Sequence, residues 1–193
     1  MEFELPATKV TYKLPEILDL LEVQAIIKAA AGNIMHKTLL MVTYSAGLRV
    51  SEVVRLKPTD ICRKRMTLHI RDTKNGMDRY VILSPMVLEQ LDVYWRHCKF
   101  KDYVFPGMKG AHITTGTAGR IYREAKAIAG VKKLGGIHGL RHAYATHSLE
   151  SGTDLFKIKV LLGHKSIHST VRYLYFVPNK DSNIKSPIDQ LSF

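Results

Sequence analysis

From Asp19 onward, apolar residues recur every three or four positions, the period of helices that bury one face. Asp19 and Glu22 have capping-box spacing, Val23, Ile26, Ile27 and Ala30 make the stripe behind them, and Gly32 ends it. A second helix carries Met35, Leu39, Val42 and Ala46 and stops at Gly47. A third is predicted over Leu48 to Leu56, with Val50, Val53 and Val54 inward and Pro58 past its end. The period then changes. Met66 to Ile70 and Tyr80 to Leu83 read as strands joined by the seven residues DTKNGMD, whose Asn-Gly pair marks a hairpin. Val87, Leu91 and Tyr94 define a helix, and Tyr103 to Phe105 a short strand before Pro106. The helix from Thr117 to Ala129 has Ala118, Ile121, Tyr122, Ala125 and Ile128 on its apolar side, with Arg120, Arg123 and Lys126 away from it. Three helices follow, over 138–151, 153–162 and 166–176, punctuated by Gly152, Gly163 and Pro178. Helices around one small sheet, without βαβ alternation, predict an α+β domain.

Charge refines this picture. The 193 residues carry 29 Lys and Arg against 17 Asp and Glu, a formal +12. Residues 1–60 hold seven of each sign, so the whole excess belongs to the remainder and points to a polyanion, nucleic acid before an anionic membrane. Cys62 and Cys98 cannot build a disulfide framework or a zinc knuckle, and the N-terminus has no signal-peptide pattern, so a reduced cytoplasmic setting is expected.

Three segments place polar groups inside apolar patterns. In YSAGLRVSE, Arg49 begins a helix beside Leu48 and Val50 and needs a partner, for which Glu52 is nearest; a purely structural ion pair accounts for these two alone. In HGLRH, His138, Arg141 and His142 project from one side of a helix as a donor cluster suited to phosphate, with basic surface histidines or a zinc pair as alternatives. In LGHKSIHSTVRYLY, Gly163 ends a helix, His164 sits in the turn and Ser166 caps the next helix. With Ile167, Val171 and Leu174 as the buried stripe, a helical rotation of about 100° per residue packs Tyr175 and turns the Tyr173 hydroxyl toward a cleft.

Together, Arg49 with Glu52 in a GLRxSE box, HxxR at His138 and Arg141, LRHxxATH at 140–147, LGH at His164 and Tyr173 nine residues later resemble the tyrosine recombinase (phage integrase) family. The resemblance runs from about Leu14 to Val177 and includes Lys74 in the hairpin. It implies a site-specific DNA recombinase with Tyr173 as nucleophile, forming a 3′-phosphotyrosyl link and a free 5′-hydroxyl. By the same resemblance Arg49, Arg141 and His164 stabilise the phosphate, His138 takes the tyrosine proton, and Lys74 protonates the leaving oxygen. Glu52 and His142 support them, Arg120, Arg123, Lys126 and Arg172 hold the duplex, and no metal or cofactor is required. The partner expected is double-stranded DNA, met by a monomer that becomes a homo-tetramer on paired sites. The domain plan is a lead-in over 1–13, the catalytic domain over 14–177 and a tail over 178–193 with a possible docking patch at Ile188 and Leu191. The family's N-terminal core-binding domain is expected to be absent. A type IB topoisomerase, or a helix-turn-helix binder built from 138–175, are the competing readings.

Overall fold

The structure is a computed structural model that describes residues 16–71 and 78–177. Lys74, the lead-in and the tail with Ile188 and Leu191 lie outside the described residues. Helices α1 (Leu20–Ala29), α2 (Ile34–Ser45) and α3 (Val50–Val54) come first, then strands β1 (Ile61–Cys62), β2 (Thr67–Ile70) and β3 (Arg79–Ile82). Helices α4 (Pro85–Cys98), α5 (Thr115–Ile128), α6 (His138–Glu150), α7 (Leu155–Leu162) and α8 (His168–Val171) complete the domain, and a 3-10 segment over Arg172–Phe176 follows. This is the α+β domain that the pattern predicts.

The capping box of α1 is formed as expected: the Asp19 carboxylate accepts from the Glu22 N–H and Glu22 from the Asp19 N–H, both at 2.8 Å. Helix α2 lies centrally, touching α1, α3, α4, α5 and α6, and its Leu39, Leu40 and Val42 are fully buried. The core runs through these helices and the inner face of the sheet, while Ala145, Ile158, Leu162 and Tyr173 form a second, smaller cluster beneath α6 and α7.

The sheet is antiparallel in the order β1-β2-β3, with Leu68 opposite Val81 and Ile70 opposite Arg79. Strand pleating puts those four side chains on one face, so the register carries a charged residue, Arg79, to the core side. Tyr80 and Ile82 face outward and are exposed.

Four expectations need correction. Tyr103 to Phe105 is not a strand: the Val104 N–H goes to the Leu56 carbonyl and the Phe105 carbonyl accepts from Ile113, which satisfies this backbone without a ladder. Helix α3 is shorter than the predicted 48–56, since Arg49 is extended at its N-cap and the turn closes at Arg55. Ile128, the last residue of α5, is exposed rather than part of the buried stripe, since the helix ends there. Ser166 precedes the N-cap Ile167, so α8 is a single turn of four residues. A single α-turn continued by a 3-10 segment over Arg172–Phe176 makes a short recognition element, which counts against the helix-turn-helix reading of 138–175.

Candidate active site

Two glycine turns and the C-terminal end of α7 bring the polar residues together. Gly47 has φ +58°, and a Cβ there would stand 2.4 Å from the Tyr144 ring, so the turn before Arg49 requires glycine for both conformation and space. Gly163 has φ +64° and lies against Arg79, whose Cδ and Nη1 would be 3.1 Å from an added Cβ.

A helix ends with carbonyls that lack intrahelical partners and with a partial negative charge. At the end of α7 three successive carbonyls each receive an arginine. Arg79 Nε donates to Leu161 at 2.8 Å, Arg141 Nη2 to Leu162 at 2.6 Å and Arg49 Nη2 to Gly163 at 3.2 Å. Arg141, 1% exposed, also donates from Nη1 to the Gly47 carbonyl at 2.7 Å, joining the two turns.

Glu52 lies among these guanidiniums. Its Oε1 accepts from Arg49 Nη1 at 2.7 Å and Arg79 Nη1 at 2.9 Å, and its Oε2 from the Arg49 N–H at 2.8 Å and Arg79 Nη2 at 2.7 Å. Burial alone would raise its pKa, but the hydrogen-bonded Arg79 and then Arg49 outweigh that and hold the carboxyl at about 2. Burial, and next the charge of Arg49, bring Arg141 down to about 10, so it stays protonated at neutral pH.

Tyr173 is 2% exposed, and its hydroxyl lies 2.9 Å from His142 Nδ1. Its ring stacks with that of His164 at 6.4 Å and 11°, while His164 Nδ1 is engaged by Thr170 Oγ1 at 2.9 Å. That leaves His164 Nε2 as the nitrogen available to a ligand. Burial raises the phenol pKa, an effect that Arg141, Arg172 and Arg49 partly offset. His142 and His164 are each depressed to about 4, first by burial and then by His138 and Arg141 respectively. Burial followed by Arg141 lowers His138 as well.

Of the residues singled out in the sequence, Arg49, Glu52, His138, Arg141, His142, His164 and Tyr173 therefore converge. Two details differ from expectation. The phenol hydrogen bond goes to His142, expected only in support, whereas exposed His138 packs edge-on against the His142 ring at 4.8 Å. Four residues along a helix is about 6 Å, and Tyr173 packs against Ala145, nearer to His142. The two tyrosines also exchange places: Tyr173 is buried, while Tyr175 and Leu174 are 75% and 47% exposed. Thr170 in α8 and Tyr173, three residues on, form the buried side, whereas Ile167 and Val171 are only partly buried and Leu174 is exposed, so the buried stripe is not the one expected.

Arg172 is exposed beside this cluster and donates to the Ser169 carbonyl. On α5, Arg120 pairs with Glu124 at 3.0 Å, Arg123 is exposed, and Lys126 Nζ donates to the Lys133 carbonyl. The residue missed in the sequence is Arg79. Its signal was the strand alternation itself, which places it in phase with Val81 and Leu83.

The model of the phage integrase family matches residues 16–178. The integrase/recombinase y4qK of Sinorhizobium fredii is 42% identical over 97% of this chain and 61% of its own length. A second protein of that organism, y4eF, is 40% identical over 97% of this chain and 74% of its own length. Among solved structures, XerA recombinase has a TM-score of 0.76 at 29% identity, with 83% of this chain and 60% of that one covered. XerH recombinase, in a post-cleavage complex with its difH substrate, shares the fold at a TM-score of 0.81 and 22% identity, over 95% of this chain and 56% of that one. The chain thus spans about three fifths of y4qK and of the XerA chain.

Proposed function

Because the chain belongs to the phage integrase family, we propose that it cleaves and rejoins DNA strands at specific sites through a covalent tyrosyl intermediate. The observation that carries this reading is the Tyr173 hydroxyl, held 2.9 Å from an imidazole and close to the positive charge of Arg49 and Arg141. The Tyr173 oxygen attacks a phosphodiester, the P–O bond to the 5′-oxygen breaks, and a 3′-phosphotyrosyl link replaces it. A phenol with pKa near ~10 needs an acceptor for its proton. His142, neutral at pH 7 since its pKa is about 4, can accept through Nδ1 when its proton is on Nε2. In this reading His138, exposed and in edge-on contact with the His142 ring at 4.8 Å, passes that proton on to solvent.

Charge gathers on the non-bridging oxygens in the transition state, where Arg49, Arg141 and His164 Nε2 are the donors. Lys74 protonates the departing 5′-oxygen, as the resemblance implies. Guanidiniums supply the positive charge, so the reaction as proposed needs no metal ion and no cofactor. The phosphotyrosyl bond conserves the energy of the broken linkage, so attack by another strand's 5′-hydroxyl completes the exchange. Exchanging both strands of two duplexes takes four cleavages, which fits a monomer that assembles as a tetramer on paired DNA. We assign this chemistry to residues 14–177. The proposed partner, DNA, is the ground for a cytoplasmic setting; no helix among the described residues is long and apolar enough to cross a membrane.

The test is covalent capture. The chain is incubated with a library of nicked duplexes of randomised sequence, and protein-DNA adducts are recovered on a denaturing gel. Adducts enriched in one sequence and unchanged by chelators are expected, and Tyr173→Phe should abolish them. Absence of any adduct, or its survival in the phenylalanine variant, refutes the reading; adducts without sequence preference indicate topoisomerase-like nicking instead.

A further inference from the structure

Arg79 has no place in the chemistry above, yet it is among the most deeply held charges in the molecule. It is 8% exposed, gives both oxygens of Glu52 a hydrogen bond, caps Leu161 and packs against Gly163. We infer that Arg79 is the charge-balancing and positioning residue of this site: by saturating Glu52 it leaves Arg49 and Arg141 able to meet an anionic phosphate.

The argument rests on competition for one carboxylate. Glu52 is the only acid among the groups that bond this cluster in the described residues, and Arg141 Nη1 already lies 4.0 Å from its Oε2. That separation is an ion-pair distance without a hydrogen bond. With Arg79 in place, Oε2 is filled by Arg79 Nη2 and the Arg49 N–H. Without it Oε2 keeps the backbone donor alone, and Arg141 is the nearest cation able to fill the vacancy. A guanidinium drawn onto Glu52 is lost to the phosphate.

Net charge leads to the same conclusion. Arg49, Arg79 and Arg141 against Glu52 leave two positive charges, and the neighbouring histidines are neutral at pH 7. A phosphodiester has one negative charge, and the five-coordinate species formed by phenolate attack has two. The hydrogen-bonded core of the cluster thus has a surplus of two, beside exposed Arg172, and removing Arg79 halves that surplus. Arg79 also opens β3, five residues after Lys74 in the sequence, so the same side chain ties the start of that strand to α3 and α7.

This inference rests on the proposed phosphoryl transfer, so one arm of its test needs no DNA. Orthovanadate, a phosphate analogue, is titrated into the full chain while the His164 ring is followed by NMR. Arg79→Gln is expected to weaken binding at least tenfold. Arg79→Lys, which keeps the charge, should bind within about threefold of wild type. The Glu52→Gln/Arg79→Gln double variant restores the original net charge and should recover to within about threefold as well, and it decides the matter if Arg79→Gln alone does not fold. A folded double variant that binds as weakly as Arg79→Gln, or Arg79→Lys as weak as Arg79→Gln, overturns the inference and leaves Arg79 a packing residue. The second arm is single-turnover cleavage of a captured duplex, expected to follow the same order. Wild type that binds vanadate but forms no adduct counts against the proposed function, and the titration still decides the role of Arg79.

Discussion

Four N–H groups from Arg49 and Arg79 converge on Glu52, and the resulting pKa of about 2 ties stability to pH with a definite sign. A carboxyl whose folded pKa lies below its unfolded value contributes stability above the unfolded value and loses it as pH falls through the folded one. For Glu52 the window runs from about 4.5 down to about 2, and the 3% exposure of its side chain makes the contribution on the order of 3 kcal/mol. His142 and His164, half-buried as neutral rings, act in the same direction from about 6.5 down to about 4. Denaturant melts should therefore show stability falling in two stages on acidification. Glu52→Gln should be destabilised at neutral pH by an unpaired Arg79, and its stability should change little between pH 4.5 and 2; a wild-type slope there in the variant would contradict this assignment.

Each element of the site depends on a turn whose backbone only glycine adopts easily. Gly47→Ala adds a methyl within 2.4 Å of the Tyr144 ring at a φ of +58°, so a loss of about 2 kcal/mol or more is expected in chemical denaturation. Because Arg141 Nη1 bonds the Gly47 carbonyl and Arg49 follows two residues later, the same substitution should reduce adduct formation even where the protein remains folded. At this scale the sequence was most informative where local rules decide. The Asp19–Glu22 box, the Gly47 and Gly163 stops and the Arg49–Glu52 spacing all follow from interactions within four residues. It was least informative where partners are distant. The alternation sets Arg79 in phase with buried Val81 and Leu83, but nothing near it in the chain announces Glu52, 27 positions away. Tyr173 and Tyr175 exchange places because the buried side runs through Thr170, a polar residue that gives no apolar signal in the sequence. Strand β1, two residues long, has no periodicity to read.

For the molecule as a whole, the formal +12 overstates the charge that DNA can meet. Arg79 and Arg141 are buried within the site, and Lys126 spends its ammonium on a backbone carbonyl. On the proposed function, exposed cations such as Arg123 and Arg172 are the ones left for the duplex. Each phosphate contact contributes about −0.9 to the slope of log affinity against log salt. Arg123→Ala should accordingly make that slope shallower by roughly one unit, while Lys126→Ala leaves it nearly unchanged. Equal slopes for the two variants would place DNA elsewhere on the surface. The sheet register has a consequence at this scale too. A slip of one residue between β2 and β3 would export Arg79 to solvent, bring Tyr80 inside and strand Glu52 without its fork. Mispairing of the hairpin thus carries an electrostatic penalty levied at the arginine cluster itself, so a chain with its strands out of step loses stability and the proposed DNA-cutting site together.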